Sequence, residues 1–256
     1  MSAVSFASVR NRPGASTVWL LTSVALRAAG RDVVAVEADP DGNDLGTTYD
    51  LGQSPGLVTL AAAARRGSTS AGLVDEHARH LPDGLAVIPG PVAAEEAAAA
   101  VTSIATRVGG LAGGDGRLWC CDVGRLSVAS PALPIAVGSA LTVLVCQPTR
   151  TEALSLRSRV ATLAAAGCRL GLVVVGNGPY RAGEVAAHGG IELVGTVPFA
   201  RDADDLVAAA VAGRRGRRSL LWRAAVDIAA VIAERVAQGA APIVADPAQA
   251  LVGGER

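Results

Sequence analysis

The stretch VSFASVRNRPGAST, Val4 to Thr17, followed at once by VWLLTSVALRAAG, decides the reading of this chain. An apolar strand, a tight loop ending in Gly14 and a helix opening at Ala15-Ser16-Thr17 have the order of a phosphate-binding loop. In such a loop backbone N–H groups and the helix N-terminus point at an anion. A lysine then neutralises the outer phosphates, and a Ser or Thr hydroxyl ligates Mg²⁺. Set against G-x-x-x-x-G-K-[ST], Val9 stands at the first glycine, Gly14 at the second, Ala15 at the lysine and Ser16 at the hydroxyl. The hydroxyls are kept and the lysine is not.

Outward from that stretch, short apolar runs recur at Val4–Val9, Val33–Glu37, Leu85–Pro89, Leu118–Asp122, Leu141–Cys146, Leu170–Val175 and Leu193–Val197. Runs this apolar, separated by helix-length segments, are what a parallel sheet covered on both faces requires. Helices are expected near 15–29, 57–66, 93–108, 151–166, 202–212 and 219–237. Thr151 with Glu152, and Asp202 with Asp204 and Asp205, place acceptors and negative charge at two helix starts. The expected fold is therefore α/β, a three-layer doubly wound and mostly parallel sheet in one domain over 1–238, with ligands beyond the carboxyl ends of the strands. Residues 239–256, small and proline-bearing, read as a loosely attached tail.

Composition narrows the function. Of 256 residues 50% are hydrophobic and only 3% aromatic, so the core must be Val, Leu, Ile and Ala. All 23 basic residues are Arg, a bias that explains Lys→Arg at any one site but not the alanine at position 15. The formal net charge of zero leaves no global field for nucleic acid or anionic membrane. Four cysteines without C-x-x-C spacing, Cys120, Cys121, Cys146 and Cys168, read as buried free thiols in a reducing cytoplasm, with no structural metal. The uncharged segment 126–149 is long enough to span a bilayer, but Pro131, Pro134 and Gly138 interrupt it, so a helix or loop followed by a buried strand is expected and no transmembrane segment.

Four features lie just after strand ends on the face where the loop opens: Glu37-Ala38-Asp39-Pro40-Asp41-Gly42-Asn43, Cys121-Asp122-Val123-Gly124, Gly176-Asn177-Gly178-Pro179 and Gly195-Thr196-Val197-Pro198-Phe199. An acid closing an apolar strand, as Asp122 does here, can hold Mg²⁺ directly or through water, and the N–H of Gly124 can face a terminal phosphate.

In this order the motifs resemble the MinD/ParA family of deviant-Walker ATPases, from about residue 3 to 237. Arg10 to Thr17 lies where that family has K-G-G-x-G-K-[ST]-T, and Glu37-Ala38-Asp39-Pro40 is similar to its D-x-D-P. The resemblance implies ATP and Mg²⁺ as cofactors, with Arg10, Arg12, Gly14, Ala15, Ser16, Thr17 and Gly124 around the phosphates. It places Ser16 and Asp122 on the metal, Asp39 on the attacking water, and Asn177, Pro198 and Phe199 beside the base. It also implies a homodimer in which the residue at position 10 reaches the partner's phosphates. Ala15, Asn11 and Arg12 depart from the pattern, the last two replacing glycines.

Simpler readings stand beside these. Asp39 and Asp122 could cap the loops after their strands, Asn177 could be a turn residue, and Phe199 a packing residue. Arg214, Arg215, Arg217 and Arg218 could bind DNA phosphates, or could be a solvated turn before an amphipathic helix. The tail lacks a basic amphipathic helix, so membrane attachment is expected only through a partner. Two functions follow: a nucleotide-binding or pseudo-ATPase scaffold in division, partitioning, or pilus or secretion machinery, and an active Mg²⁺-ATPase with ATP-controlled dimerisation.

Overall fold

Alternation within the first apolar run assigns it to the middle of the sheet, because both of its faces are covered. Val4 and Phe6 turn into one apolar cluster while Ala3 and Ala7 turn into the other. A computed structural model of the chain describes residues 3–10, 14–67, 72–213 and 215–238, with only the backbone of Arg215. Asn11, Arg12, Arg214 and the tail 239–256, all invoked above, lie outside the described residues.

In chain order the elements are β1 (Ala3–Ser8), α1 (Ala15–Ala28), β2 (Val33–Glu37), α2 (Leu45–Thr48), α3 (Leu57–Arg65), α4 (Leu73–His77), β3 (Arg79–His80) and β4 (Ala86–Ile88). There follow α5 (Ala94–Ile104), α6 (Val108–Asp115), β5 (Leu118–Arg125), α7 (Leu133–Gly138), β6 (Leu141–Cys146), α8 (Arg150–Ala165) and β7 (Leu170–Val175). The chain continues through α9 (Ala182–Gly189), β8 (Leu193–Val197), α10 (Ala203–Val211), a 3₁₀ turn at Arg215–Arg218 and α11 (Leu220–Ala237). The sheet order is β3-β4-β2-β5-β1-β6-β7-β8, parallel throughout except for β3 against β4. The chain thus winds to one side of β1 and then to the other, and the reversal opens a crevice at the carboxyl ends of β1, β5 and β6.

Two apolar clusters flank the sheet. One joins the sheet to α1, α10 and α11 through Trp19, Leu21, Val211, Trp222 and Ile228. The other joins it to the helices between α3 and α9 through Leu60, Ile104, Ile135, Leu156 and Leu163. Each fully buried Leu or Ile stabilises the fold by roughly 1.5–3 kcal/mol relative to exposure.

Several expectations change in detail. The helix expected over 93–108 is two helices, and α6 went unread because Gly109, Gly110, Gly113 and Gly114 lower its propensity. Helix α9 was unread for a similar reason, and its start is fixed by the Glu184 carboxylate accepting from the Arg181 N–H at 2.7 Å. Thr149, not Thr151, caps α8, its hydroxyl accepting from the Glu152 N–H at 3.3 Å. Asp202 occupies the N-cap of α10 without a side-chain bond. Strand β5 continues past Asp122 to Arg125, so that acid does not close the strand; the β1 pairing slips between Phe6 and Ser8, a bulge that turns Gly124 to φ +63°. Segment 126–149 is α7 followed by the buried β6, as read.

Candidate functional site

Gly14 ends the β1 loop in the left-handed region at φ +86° and sits at the N-cap of α1, a conformation that glycine adopts without Cβ strain. The first turn of α1 carries no acidic residue and no capping side chain, which leaves its N–H groups free to face an anion. Ser16 is exposed there and Thr17 half-buried. Ala15 is only 7% exposed, its methyl set into the apolar cluster under α1. Arg10 is exposed and donates from Nη1 to Ser155 Oγ on α8 at 3.1 Å.

Across the mouth of the loop stand three acids. Asp122 is 1% exposed; its Oδ1 accepts from the Gly124 N–H at 3.1 Å, and its Oδ2 has no hydrogen-bond partner among the described residues. Burial pushes its pKa up to about 6, with the Asp39 charge adding to the rise, while the Ser16 hydroxyl and the Gly124 N–H oppose it. Asp39 is partly buried, accepts from the Asp41 N–H at 2.9 Å, and is likewise raised by burial. A Cβ on Gly124 would coincide with the Asp39 carboxyl, so the bulge glycine lets the two loops meet. Glu37, the register neighbour of Asp122 on β2, is 3% exposed, and burial pushes its pKa up to about 8. Asp39 does bond its own loop, as the simpler reading held, whereas Asp122 bonds Gly124 within β5, and among the described residues its Oδ2 stays unsatisfied.

On the far side, Asn177, Tyr180 and Pro198 line an open cavity of about 560 Å³ with Pro148 and Thr196. An adjoining apolar cleft of about 120 Å³ runs from Gly14 and Thr17 to Phe199 and Leu221. Phe199 is 66% exposed, which argues against a core packing role. The structure therefore gathers Gly14, Ser16, Thr17, Asp39, Asp122, Gly124, Asn177, Pro198 and Phe199 along one crevice, and engages Arg10 with α8.

No family model and no curated protein matches this sequence. Solved structures do match. The cell division ATPase MinD of Pyrococcus furiosus superposes with TM-score 0.74 at 20% identity, over 91% of this chain and 99% of that one. The fold is that of MinD and ParA. A ParA family ATPase of Chlorobium tepidum matches with TM-score 0.70 at 16% identity, covering 90% and 97%. MinD of Pyrococcus horikoshii complexed with Mg-ADP matches with TM-score 0.66 at 16% identity, covering 93% and 98%.

A MinD-type fold raises the question of whether these residues fit Mg²⁺ and nucleotide. Asp122 Oδ2, buried and without a partner among the described residues, fits, together with the exposed Ser16 hydroxyl, a hard cation that takes its remaining ligands from water and phosphate. Among the described residues no three His, Cys, Asp or Glu side chains converge as a metal cluster. The phosphate side fits less well: where the loop lysine would stand there is a buried methyl.

Two further expectations are refined. Arg217 is engaged within the fold rather than solvated: Nε donates to Ala210 O at 3.2 Å, Nη2 lies 3.6 Å from Asp83, and the guanidinium sits 5.0 Å from the Trp222 ring centroid. Arg218 is exposed. Among the described residues no helix is long and apolar enough to cross a membrane. Sequence reasoning quoted Glu37 but gave it no role; an acid ending an otherwise apolar strand was the signal. Gly90, which packs against it, carried none.

Proposed function

We propose that this chain is a MinD/ParA-like scaffold or positioning protein that binds a purine nucleotide with Mg²⁺ and hydrolyses it weakly or not at all. Ala15 carries the reading. At the lysine position a methyl is held in the apolar cluster under α1, while Gly14, the α1 N-terminus, Ser16, Asp122 and Gly124 keep the rest of a phosphate and metal cradle. When bound, Mg²⁺ would screen phosphate charge; Asp122 and Ser16 would hold it, the Gly124 N–H would face the terminal phosphate, and Asn177 and Phe199 would border the base. Loss of one charge-assisted contact in a closed site costs on the order of 2–4 kcal/mol, enough to cut turnover by roughly 10² to 10³.

The same reading makes the protein a cytoplasmic homodimer serving a protein partner in division, partitioning, or pilus or secretion machinery. It reaches the membrane only through that partner, and DNA only through exposed arginines such as Arg218.

Thermal unfolding with ATP or ADP, with and without Mg²⁺, tests the binding. A ligand at ~100 times its dissociation constant adds about 2.7 kcal/mol, and a Mg²⁺-dependent shift is expected. ATP turnover at background completes the reading. An active Mg²⁺-ATPase with ATP-controlled dimerisation is favoured by one observation, the Asp39 carboxyl set against Gly124 and close to Asp122. Turnover that Asp39→Asn abolishes would establish it.

A further inference from the structure

We propose that Glu37 is the positioning residue of this site: its buried carboxyl fastens the loop carrying Asp39 to the loop after β4, and so holds Asp39 against Gly124. Glu37 Oε1 accepts from the Leu45 N–H at 3.1 Å, and Oε2 accepts from the Gly90 N–H at 3.0 Å. One oxygen therefore ties the end of the Asp39 loop and the other ties the β4 loop. The two loops interlock beside it. The Asn43 N–H donates to Pro91 O at 3.0 Å, and Asn43 Nδ2 to Asp39 O at 3.4 Å. A Cβ at Gly42 would overlap Val92 O, and one at Gly90 would come within 2.8 Å of Asn43 Nδ2 and 3.2 Å of Glu37 Cβ. Such close approach leaves Asp39 little freedom once the clasp is shut.

Length matters as well. The resemblance has aspartate at this position, and glutamate is one methylene longer, the reach needed for a carboxyl at the end of β2 to meet both N–H groups. Glu37 also lines, with Ser16, Asn43, Leu45 and Tyr49, a cleft of about 350 Å³ between α1, α2 and α10. The clasp thus shapes the wall that faces the Ser16 hydroxyl. Its effect on Mg²⁺–nucleotide binding rests on the proposed function, whereas the clasp itself does not.

Amide hydrogen exchange on the nucleotide-free protein reads the clasp directly. Glu37→Gln places an NH₂ against one of the two N–H groups, and Glu37→Asp keeps both acceptors but falls short of them. In each variant the Leu45 or Gly90 amide should lose protection by about tenfold or more while Val34 and Val36 in β2 keep theirs. If both amides stay as protected as in the wild type in either folded variant, the proposal is wrong. Titrating ADP with and without Mg²⁺ reads the consequence for Asp39. Glu37→Gln and Asp39→Asn should each reduce the Mg²⁺-dependent gain in affinity by about tenfold, and the double variant no further, because both act through one group. Additive losses, or an equal fall with and without Mg²⁺, would mean that Glu37 merely supports the fold. Should the wild type show no Mg²⁺-dependent affinity, the functional reading fails and the exchange result alone decides the clasp.

Discussion

The two sides of the crevice have been treated differently. On the acid side, Asp39, Asp122 and Glu37 are buried or partly buried with pKa values raised by burial, and Asp122 Oδ2 has no partner among the described residues. Burial works against the charged form of each, and Glu37 offsets it by accepting from two backbone N–H groups. On the phosphate-loop side, the one residue whose charge would matter most is a methyl in the apolar cluster, which favours the folded state. The acid side is thus polar and buried where the loop side is apolar.

The largest effect should come from the point where the acid side is most crowded. Gly124→Ala forces a Cβ into the Asp39 carboxyl at φ +63°, so destabilisation of roughly 2–4 kcal/mol is expected in urea unfolding. A change below ~1 kcal/mol would show that the Asp39 loop yields freely, and the contrast between a rigid acid side and an altered phosphate loop would dissolve.

Asp122→Asn sharpens the contrast from the other direction. The folded pKa of Asp122 is raised from 3.8 to about 6, so the unfolded chain ionises first as pH rises. Stability tied to this group is present below pH 3.8 and lost by about pH 6. Removing the charge should therefore stabilise the protein at pH 7 by about 1–3 kcal/mol and flatten its pH dependence across that window. Added Mg²⁺ should stabilise the wild type and not the variant. A less stable variant at pH 7 would mean that the carboxylate is held by a contact outside the described residues.

How far the sequence carried the reading differs between the same two sides. Strands β2, β6, β7 and β8 were legible to the residue because each is a short, mostly apolar run set between helix-length segments. Gly14, Asp39, Asp122 and Asn177 were legible as positions because turns and acids after apolar strands are conspicuous. The bulge that extends β5 was hidden, since Val123-Gly124-Arg125 carries no local sign of pairing with β1. Helices α6 and α9 were hidden by their glycines, their stability coming from burial of Leu111, Ala112, Val185 and Ala186 rather than from propensity. Gly90 has meaning only through Glu37, some fifty residues earlier, a relation that no local pattern carries.

Ala15→Lys should act more weakly. The single change supplies a charge but must withdraw a side chain from the apolar cluster, so it should improve ATP affinity by no more than about tenfold. Adding Asn11→Gly and Arg12→Gly, which restores the small residues that converging N–H groups need, should give tight Mg²⁺-dependent binding by isothermal titration. A folded triple variant without gain would make the acids relics.

The smallest expected effect concerns Arg10, which leaves the phosphate loop toward α8. Its guanidinium is exposed and donates one hydrogen bond to Ser155 on α8. Its charge also lowers the pKa of Glu152, which burial raises and which accepts from the Gln147 N–H at 2.9 Å. An exposed contact of this kind is worth about 0–1 kcal/mol because solvent screens it and a long side chain must be ordered to make it. Arg10→Ala should therefore leave unfolding within ~0.5 kcal/mol of the wild type, which keeps the guanidinium free to exchange Ser155 for an anion on a second chain. Sedimentation with and without Mg²⁺–ATP reads that second role, and a dimer that forms only in the wild type is the expected result. A loss of ~2 kcal/mol or more on unfolding would instead make Arg10 a fixture of α8, unavailable to a second chain.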